Sequence, residues 1–147
     1  MSKFTIKKKG SLDIGKRLEE LKKLAKYGLP KIIGNEVVNF SKDTFRQGGF
    51  TDAAFNPWKP RKDQSKKNQG RAILVKSGDL RRSIKKQVSV RKVTISSNLP
   101  YAAVHNYGLK AGRNGFTMPQ RKFLGPSKTL SSKIKNTIKK EIDRVFE

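Results

Sequence analysis

Apolar positions along this chain change period several times, and each change marks an element. From Lys3 to Lys8 they alternate, with Phe4 and Ile6 on one face and lysines around them. That pattern predicts a short edge strand whose charge discourages edge-to-edge pairing. Ser11 and Asp13 offer N-cap oxygens for a helix in which Ile14, Leu18, Leu21 and Leu24 recur every three or four residues. Gly28 and Pro30 predict a stop and a fresh start. In the second helix Ile33, Val37, Phe40 and Thr44 share a face, and Gly48-Gly49 closes it. Periodicity then disappears from Phe50 to Gly70, which predicts a long loop pinned to the body by Phe55 and Trp58.

Ile73, Leu74 and Val75 predict a short buried strand or extended segment, and Gly78-Asp79-Leu80 a turn opening one helical turn through Ile84. Val88 and Val90, then Val93 and Ile95, alternate with polar residues. A change of phase at Arg91-Lys92 divides them into two strands with a tight connection. Asn98 and Pro100 introduce a short helix, Tyr101 to Tyr107, ended by Gly108. Tyr101, Val104 and Tyr107 are spaced by threes and predict its core-facing side. A Gly-rich basic loop follows at Leu109–Gly115, then a brief strand near Phe116–Met118. After Pro126 a final helix carries Leu130, Ile134, Ile138, Ile142 and Val145 on one stripe. The expected fold class is α+β: a small, mostly antiparallel sheet with amphipathic helices packed on one side and long basic loops. The 147 residues suit one domain, 1–147, in which 1–29 are an added strand and helix and 50–70 and 109–115 are the long loops.

Charge changes the picture most. Lys and Arg total 35 against 11 Asp and Glu, a formal net charge of +24, while hydrophobic residues make up 34%. A domain this basic repels itself and suits an anionic neighbour: nucleic acid, an acidic protein surface or anionic lipid. No apolar run approaches the roughly 20 residues of a membrane span, so no membrane partner is expected. The basic start lacks the apolar stretch of a secretory signal. Cys is absent, which excludes disulfides and thiolate chemistry and argues for an intracellular folding compartment.

Catalytic chemistry is hard to assemble, and neither metal nor cofactor is expected. His105 stands alone; it supplies no two-His metal motif and no triad without distant partners. A structural imidazole, hydrogen-bonded to backbone at the end of its short helix, accounts for it. Glu19-Glu20 falls on the polar face of a Lys-rich helix, where ion pairs along the helix explain it. The glycines match neither phosphate-binding nor dinucleotide-binding spacing. Candidates for facing a partner or DNA are the loop cations Lys59, Arg61, Lys62, Lys66, Lys67 and Arg71, with Lys110 and Arg113 in the second loop. Each phosphate neutralised would contribute about −0.9 to a salt slope. No zinc-finger spacing, helix-turn-helix pattern or aromatic sheet signature accompanies them.

Three segments in order carry a resemblance. They are FRQGGFTDAAFNPW (Phe45–Trp58), ILVKSGDLRRSI (Ile73–Ile84), and LPYAAVHNYG (Leu99–Gly108) joined to MPQRKFLGPS (Met118–Ser127) before a terminal helix. Together they resemble the tailed-phage virion morphogenesis family, tail-completion and head–tail joining proteins that include those of P2-like phages. Where many members have Arg-Pro-Phe-Leu-Gly, this chain has Arg121-Lys122-Phe123-Leu124-Gly125. The resemblance implies a non-catalytic role in the virion, at the tail or neck, after assembly in the bacterial host cytoplasm. It implies tail or connector proteins as partners, a homo-oligomeric ring when assembled, and permits nonspecific DNA contact. The competing expectation is a basic protein that binds nucleic acid nonspecifically. Trp58, Gly78, Leu80, Tyr101, His105, Gly108, Arg121, Phe123 and Leu124 are the residues expected to maintain the fold. Gly78 and Gly108 suit turn or helix-end positions, and Phe123 with Leu124 plug the body. Arg121 pairs with a carboxylate, for which Asp79 fits by type, or caps a helix end.

Overall fold

A computed structural model describes residues 9–147, so the strand expected at Lys3–Lys8 lies outside the described residues. The elements run α1 (Lys9–Lys23), a π-helical turn (Leu24–Gly28), α2 (Leu29–Gln47), β1 (Gly49–Thr51), β2 (Phe55–Pro57), α3 (Asp79–Ser83), β3 (Lys85–Ser89), β4 (Lys92–Ser96), α4 (Ala102–Tyr107), β5 (Lys110–Ala111), β6 (Phe116–Thr117) and α5 (Lys128–Phe146). The class is α+β, as expected. Its antiparallel strands are distributed over three two-stranded sheets, β1-β2, β3-β4 and β5-β6.

The stop expected at Gly28 and Pro30 does not occur. Gly28 and Leu29 keep right-handed helical backbone (φ −71° and −60°), and α1 begins upstream of Ser11 and Asp13. Pro30 has no N–H, so the Lys26 carbonyl four residues earlier loses its α-helical donor. The chain widens into a π turn in which the Leu29 N–H donates to the Leu24 carbonyl. The Lys26 carbonyl is filled from outside, by the N–H of Arg91 at 2.9 Å in the β3–β4 turn. Proline here binds a hairpin to a helix instead of ending the helix.

The buried face of α2 carries Gly34, Ser41, Thr44 and Phe45, with Val38 half-buried among them. Of the expected Ile33–Val37–Phe40–Thr44 stripe, Thr44 is buried and the other three are half-buried; the face extends to Gly34 and Ser41 for two reasons. The Ser41 hydroxyl has a buried acceptor, the Phe123 carbonyl at 2.6 Å. Gly34 admits the β3–β4 hairpin so closely that an added Cβ would stand 2.8 Å from the Val93 side chain. Gly48 closes α2 in the left-handed conformation (φ 69°), donating to the Thr44 carbonyl.

The loop expected from Phe50 begins instead as the β1–β2 hairpin. Its Asp52 carboxylate accepts the Lys128 N–H at 2.8 Å and, with the Ser127 cap, fixes the start of α5. Trp58 is the anchor expected, whereas Phe55 is 47% exposed. Ile73–Val75 form a turn, not a strand, with Leu74 at φ +60°. Phe45, Trp58, Leu80, Ile84, Ala102 and Phe123 make the core, and the Phe45 ring lies 5.5 Å from Trp58 and 5.2 Å from Phe123.

α4 is turned away from expectation. Tyr101 and Tyr107 face solvent, and Ala102 and Asn106 point inward. The cause is the irregular segment Arg121–Leu124, which crosses the core without a strand partner, so its peptide groups need side-chain partners. Asn106 Oδ1 accepts the N–H groups of Phe123 (2.9 Å) and Leu124 (3.0 Å), and its Nδ2 donates to the Leu124 carbonyl (2.9 Å). Trp58 Nε1 donates to the Lys122 carbonyl at 2.9 Å. Asn106→Ala should therefore lower the unfolding free energy by about 3 kcal/mol, several buried groups losing partners at once. Tyr107→Ala, at a residue 65% exposed, should change it by no more than about 0.5 kcal/mol. Urea unfolding of both variants checks the pair.

Candidate functional site

The same segment that fills the core positions the principal cleft. Arg121 is buried against the stretch that follows Trp58. Its own N–H donates to the His105 carbonyl (2.8 Å), its Nε to the Lys59 carbonyl (3.0 Å) and its Nη2 to the Pro60 carbonyl (3.2 Å). These bonds draw the stretch after Trp58 against α4. The expected pairing with Asp79 is not made. Asp79 pairs with Arg82 at 2.5 Å and accepts the Ser77 hydroxyl, because both lie on its own turn. Opposite Arg121, the Ile73–Leu80 stretch supplies the other wall, turning at Gly78 (φ +79°) into α3.

Between these walls lies a cleft of about 420 Å³. Arg61, Lys76, His105 and Arg121 bring cationic or titratable groups to it, and Ile73, Leu74, Leu80 and Tyr101 supply hydrocarbon. Burial, and then the neighbouring Arg121 charge, holds the His105 imidazole below its ordinary range. Burial, then Arg61, lowers Arg121 as well. Like charges thus converge here. The ring–backbone hydrogen bond expected of His105 is absent: Nδ1 is buried and has no partner among the described residues. The backbone carbonyl of His105, bonded to Arg121, does the structural work.

The cations singled out from sequence divide into groups. Arg61 joins Arg121 at the cleft and donates to the Ala72 carbonyl at 2.7 Å. Lys62 Nζ sits 4.5 Å from the centre of the Phe116 ring, a cation–π contact that ties the first basic stretch to the β5–β6 hairpin. Lys110 and Arg113 are exposed on that hairpin. Lys66 and Lys67 are exposed on a turn shaped by Asp63, whose carboxylate accepts from the Ser65 N–H and from Asn68 Nδ2. A second hollow of about 280 Å³ shares Arg61 and Ile73 with the cleft and extends to Arg71. Lys59 contributes its carbonyl inward while its side chain is exposed.

Of the fold-maintaining set, Trp58, Leu80, Arg121 and Phe123 are buried and Leu124 is half-buried. Gly78 and Gly108 both adopt left-handed backbone, and Tyr101 borders the cleft, exposed. Sequence reading missed Asn106 and Ser41, and left Lys76 outside the candidates for facing a partner. The available signal for the first two was a polar residue sitting at a helical position that packing needs.

Among the described residues no three His, Asp or Glu side chains gather closely enough to hold a metal ion, and no helix is long and apolar enough to cross a membrane. What the site offers is a half-enclosed cationic hollow beside a wide basic surface. The sequence model of the phage virion morphogenesis family matches residues 14–143. No curated protein and no solved structure matches the chain.

The cleft electrostatics carry a pH signature. An imidazole whose folded pKa is lowered leaves the folded state short of a proton that the unfolded chain binds. Its contribution to stability is constant above the ordinary value of about 6.5 and falls as pH drops below it. The single histidine makes the ring C–H signal unambiguous in NMR. Its titration midpoint should lie below 6.5, and a midpoint above it would contradict the cleft electrostatics.

Proposed function

We propose that this chain, which belongs to the phage virion morphogenesis family, completes the phage tail and makes it competent to join a head. Family membership assigns it a structural part in building the virion and contacts with other virion proteins. The finer reading, tail or neck, is ours. The observation that carries it is the match over residues 14–143, combined with a body built for docking. The segment Arg121–Leu124 is fastened by side-chain bonds from α2, α4 and Trp58, while the basic stretches around Lys62 and Arg113 stand outward. Mobile or exposed basic segments on a fixed body can order on a partner. The role needs no catalysis.

A ring of copies is part of this proposal. α1 leaves Ile14 and Leu18 60% and 52% exposed, and α5 leaves Ile142 and Phe146 exposed. The two helices pack on each other, Arg17 Nη1 donating to the Phe146 carbonyl. This uncovered apolar surface is where we place contacts between neighbouring copies, in a heterologous interface that closes. The charge of +24 suits a passage for DNA, or acidic faces on the adjoining proteins. Nonspecific nucleic-acid binding outside the virion is the competing reading, and that charge favours it.

Deleting the gene from an inducible phage or prophage separates the two. The lysate should contain filled heads and separate, unjoined tails by electron microscopy, with infectivity restored by the wild-type chain in trans. Normal infectious particles would overturn the assembly role and favour nucleic-acid binding.

A further inference from the structure

We propose that the Arg61–His105–Arg121 cleft is a docking pocket for a carboxylate-bearing, apolar-flanked segment of an acidic partner protein. The proposal rests on the assembly reading only for the partner being a virion protein. The pocket chemistry follows from the residues.

The first argument is uncompensated charge. Arg121 is 7% exposed, and its Nε and Nη2 reach only main-chain carbonyls. Among the described residues, the ion pairs are Arg17–Asp13, Lys22–Glu19, Arg46–Asp43, Arg82–Asp79 and Arg144–Glu141; none involves Arg61, Lys76 or Arg121. The one carboxylate lining the cleft, Asp79, is already held by Ser77 and Arg82. A buried guanidinium with no counter-anion is costly, and carbonyl dipoles offset only part of that cost. With the Nε and Nη2 of Arg121 held by carbonyls, Arg61 and Lys76 bring further cationic groups to the same hollow, and a carboxylate is the matching anion.

A second, independent feature lies on the same wall. His105 Nδ1 is buried without a hydrogen-bond partner among the described residues. Buried polar atoms left so are uncommon and call for an explanation. The His105 ring lines the cleft beside Arg121, so a group seated there changes its surroundings. Leu74, on the facing wall, holds left-handed backbone (φ +60°) that a branched side chain adopts at a cost.

The walls decide between a peptide and a nucleic acid. Ile73, Leu74, Leu80 and Tyr101 give the hollow a hydrocarbon lining, which rewards an aliphatic side chain next to the carboxylate. A sugar–phosphate backbone gains little from such a lining, and the exposed Lys62, Lys66 and Lys67 suit it better. A second copy of this chain is a poor occupant, since 11 acidic residues face 35 basic ones.

The test uses the isotope-labelled full chain, titrated by NMR at physiological ionic strength. The probe is a capped hexapeptide of alternating Leu and Glu; its Leu–Gln counterpart and a short DNA duplex are the comparators. The acidic peptide should shift the Arg121 Nε–H, the His105 ring and the Ile73 and Leu80 methyls saturably. The glutamine peptide should bind at least about tenfold more weakly, a difference of about 1.4 kcal/mol. Because Arg121 also holds the Lys59 and Pro60 carbonyls, the variants are Lys76→Glu, at an exposed residue, and Arg61→Gln. Each should weaken the acidic peptide by about tenfold while leaving the remaining spectrum folded. Equal binding of the two peptides, no saturable cleft shifts, or identical cleft shifts from the duplex would each overturn the proposal. Cleft shifts that grow with the concentration of the chain alone would overturn it in favour of self-association. All of these outcomes are read on the isolated chain, so they stand apart from the fate of particles in the deletion strain.

Discussion

A peptide segment that crosses a protein core without joining a helix or a sheet must have its N–H and C=O groups answered by side chains. Apart from the Arg121 N–H, which meets the His105 carbonyl, Arg121–Leu124 is such a segment, and much of the molecule is arranged around it. Ser41 reaches it from α2, Trp58 from the end of the β1–β2 hairpin and Asn106 from α4. Phe123, held by those bonds, packs its ring against Phe45. Inside a dry core each of these bonds is worth more than at the surface, and each missing one costs more. The same constraint sets the exterior. Two residues before Phe123, Arg121 collects the Lys59 and Pro60 carbonyls and forms one wall of the cleft. Core and candidate docking site are two sides of one short stretch.

This arrangement separates what is rigid from what is charged. The ion pairs found on α1, α2, α3 and α5 join residues three or four apart on the same helix, and exposed pairs of that kind contribute little to stability. Stability rests on the aromatic cluster and the clamp around Arg121–Leu124. The excess of Lys and Arg is left free to meet anionic surfaces, and that freedom suits a family whose members build virions.

Much of the fold was legible because its signals are local. Gly48 and Gly108 end helices through a backbone conformation that glycine favours. The β3–β4 hairpin showed in the alternation of valines, and Trp58 and Phe123 showed as anchors by size. Other features depend on contacts far apart in sequence. Pro30 reads as a helix break until the Arg91 N–H supplies the donor that proline lacks. Asn106 and Ser41 carry no apolar signal of burial; Phe123 and Leu124 have to be brought to them. Tyr101 and Tyr107 were placed inward by spacing, and the requirement to satisfy buried peptide groups turned α4 the other way. Arg61 was legible as a basic residue; its meeting with Arg121 and His105 required the turn at Ile73–Gly78, which periodicity does not encode.

The most direct test of the structural role is location. Purified tails and complete particles, imaged by cryo-electron microscopy with their protein content established by mass spectrometry, should contain this chain. Density fitting it should lie at the tail end or the neck, in a repeating ring, with the Arg61–Arg121 cleft against a neighbouring protein. Tails and particles that contain no copies of the chain would contradict the account.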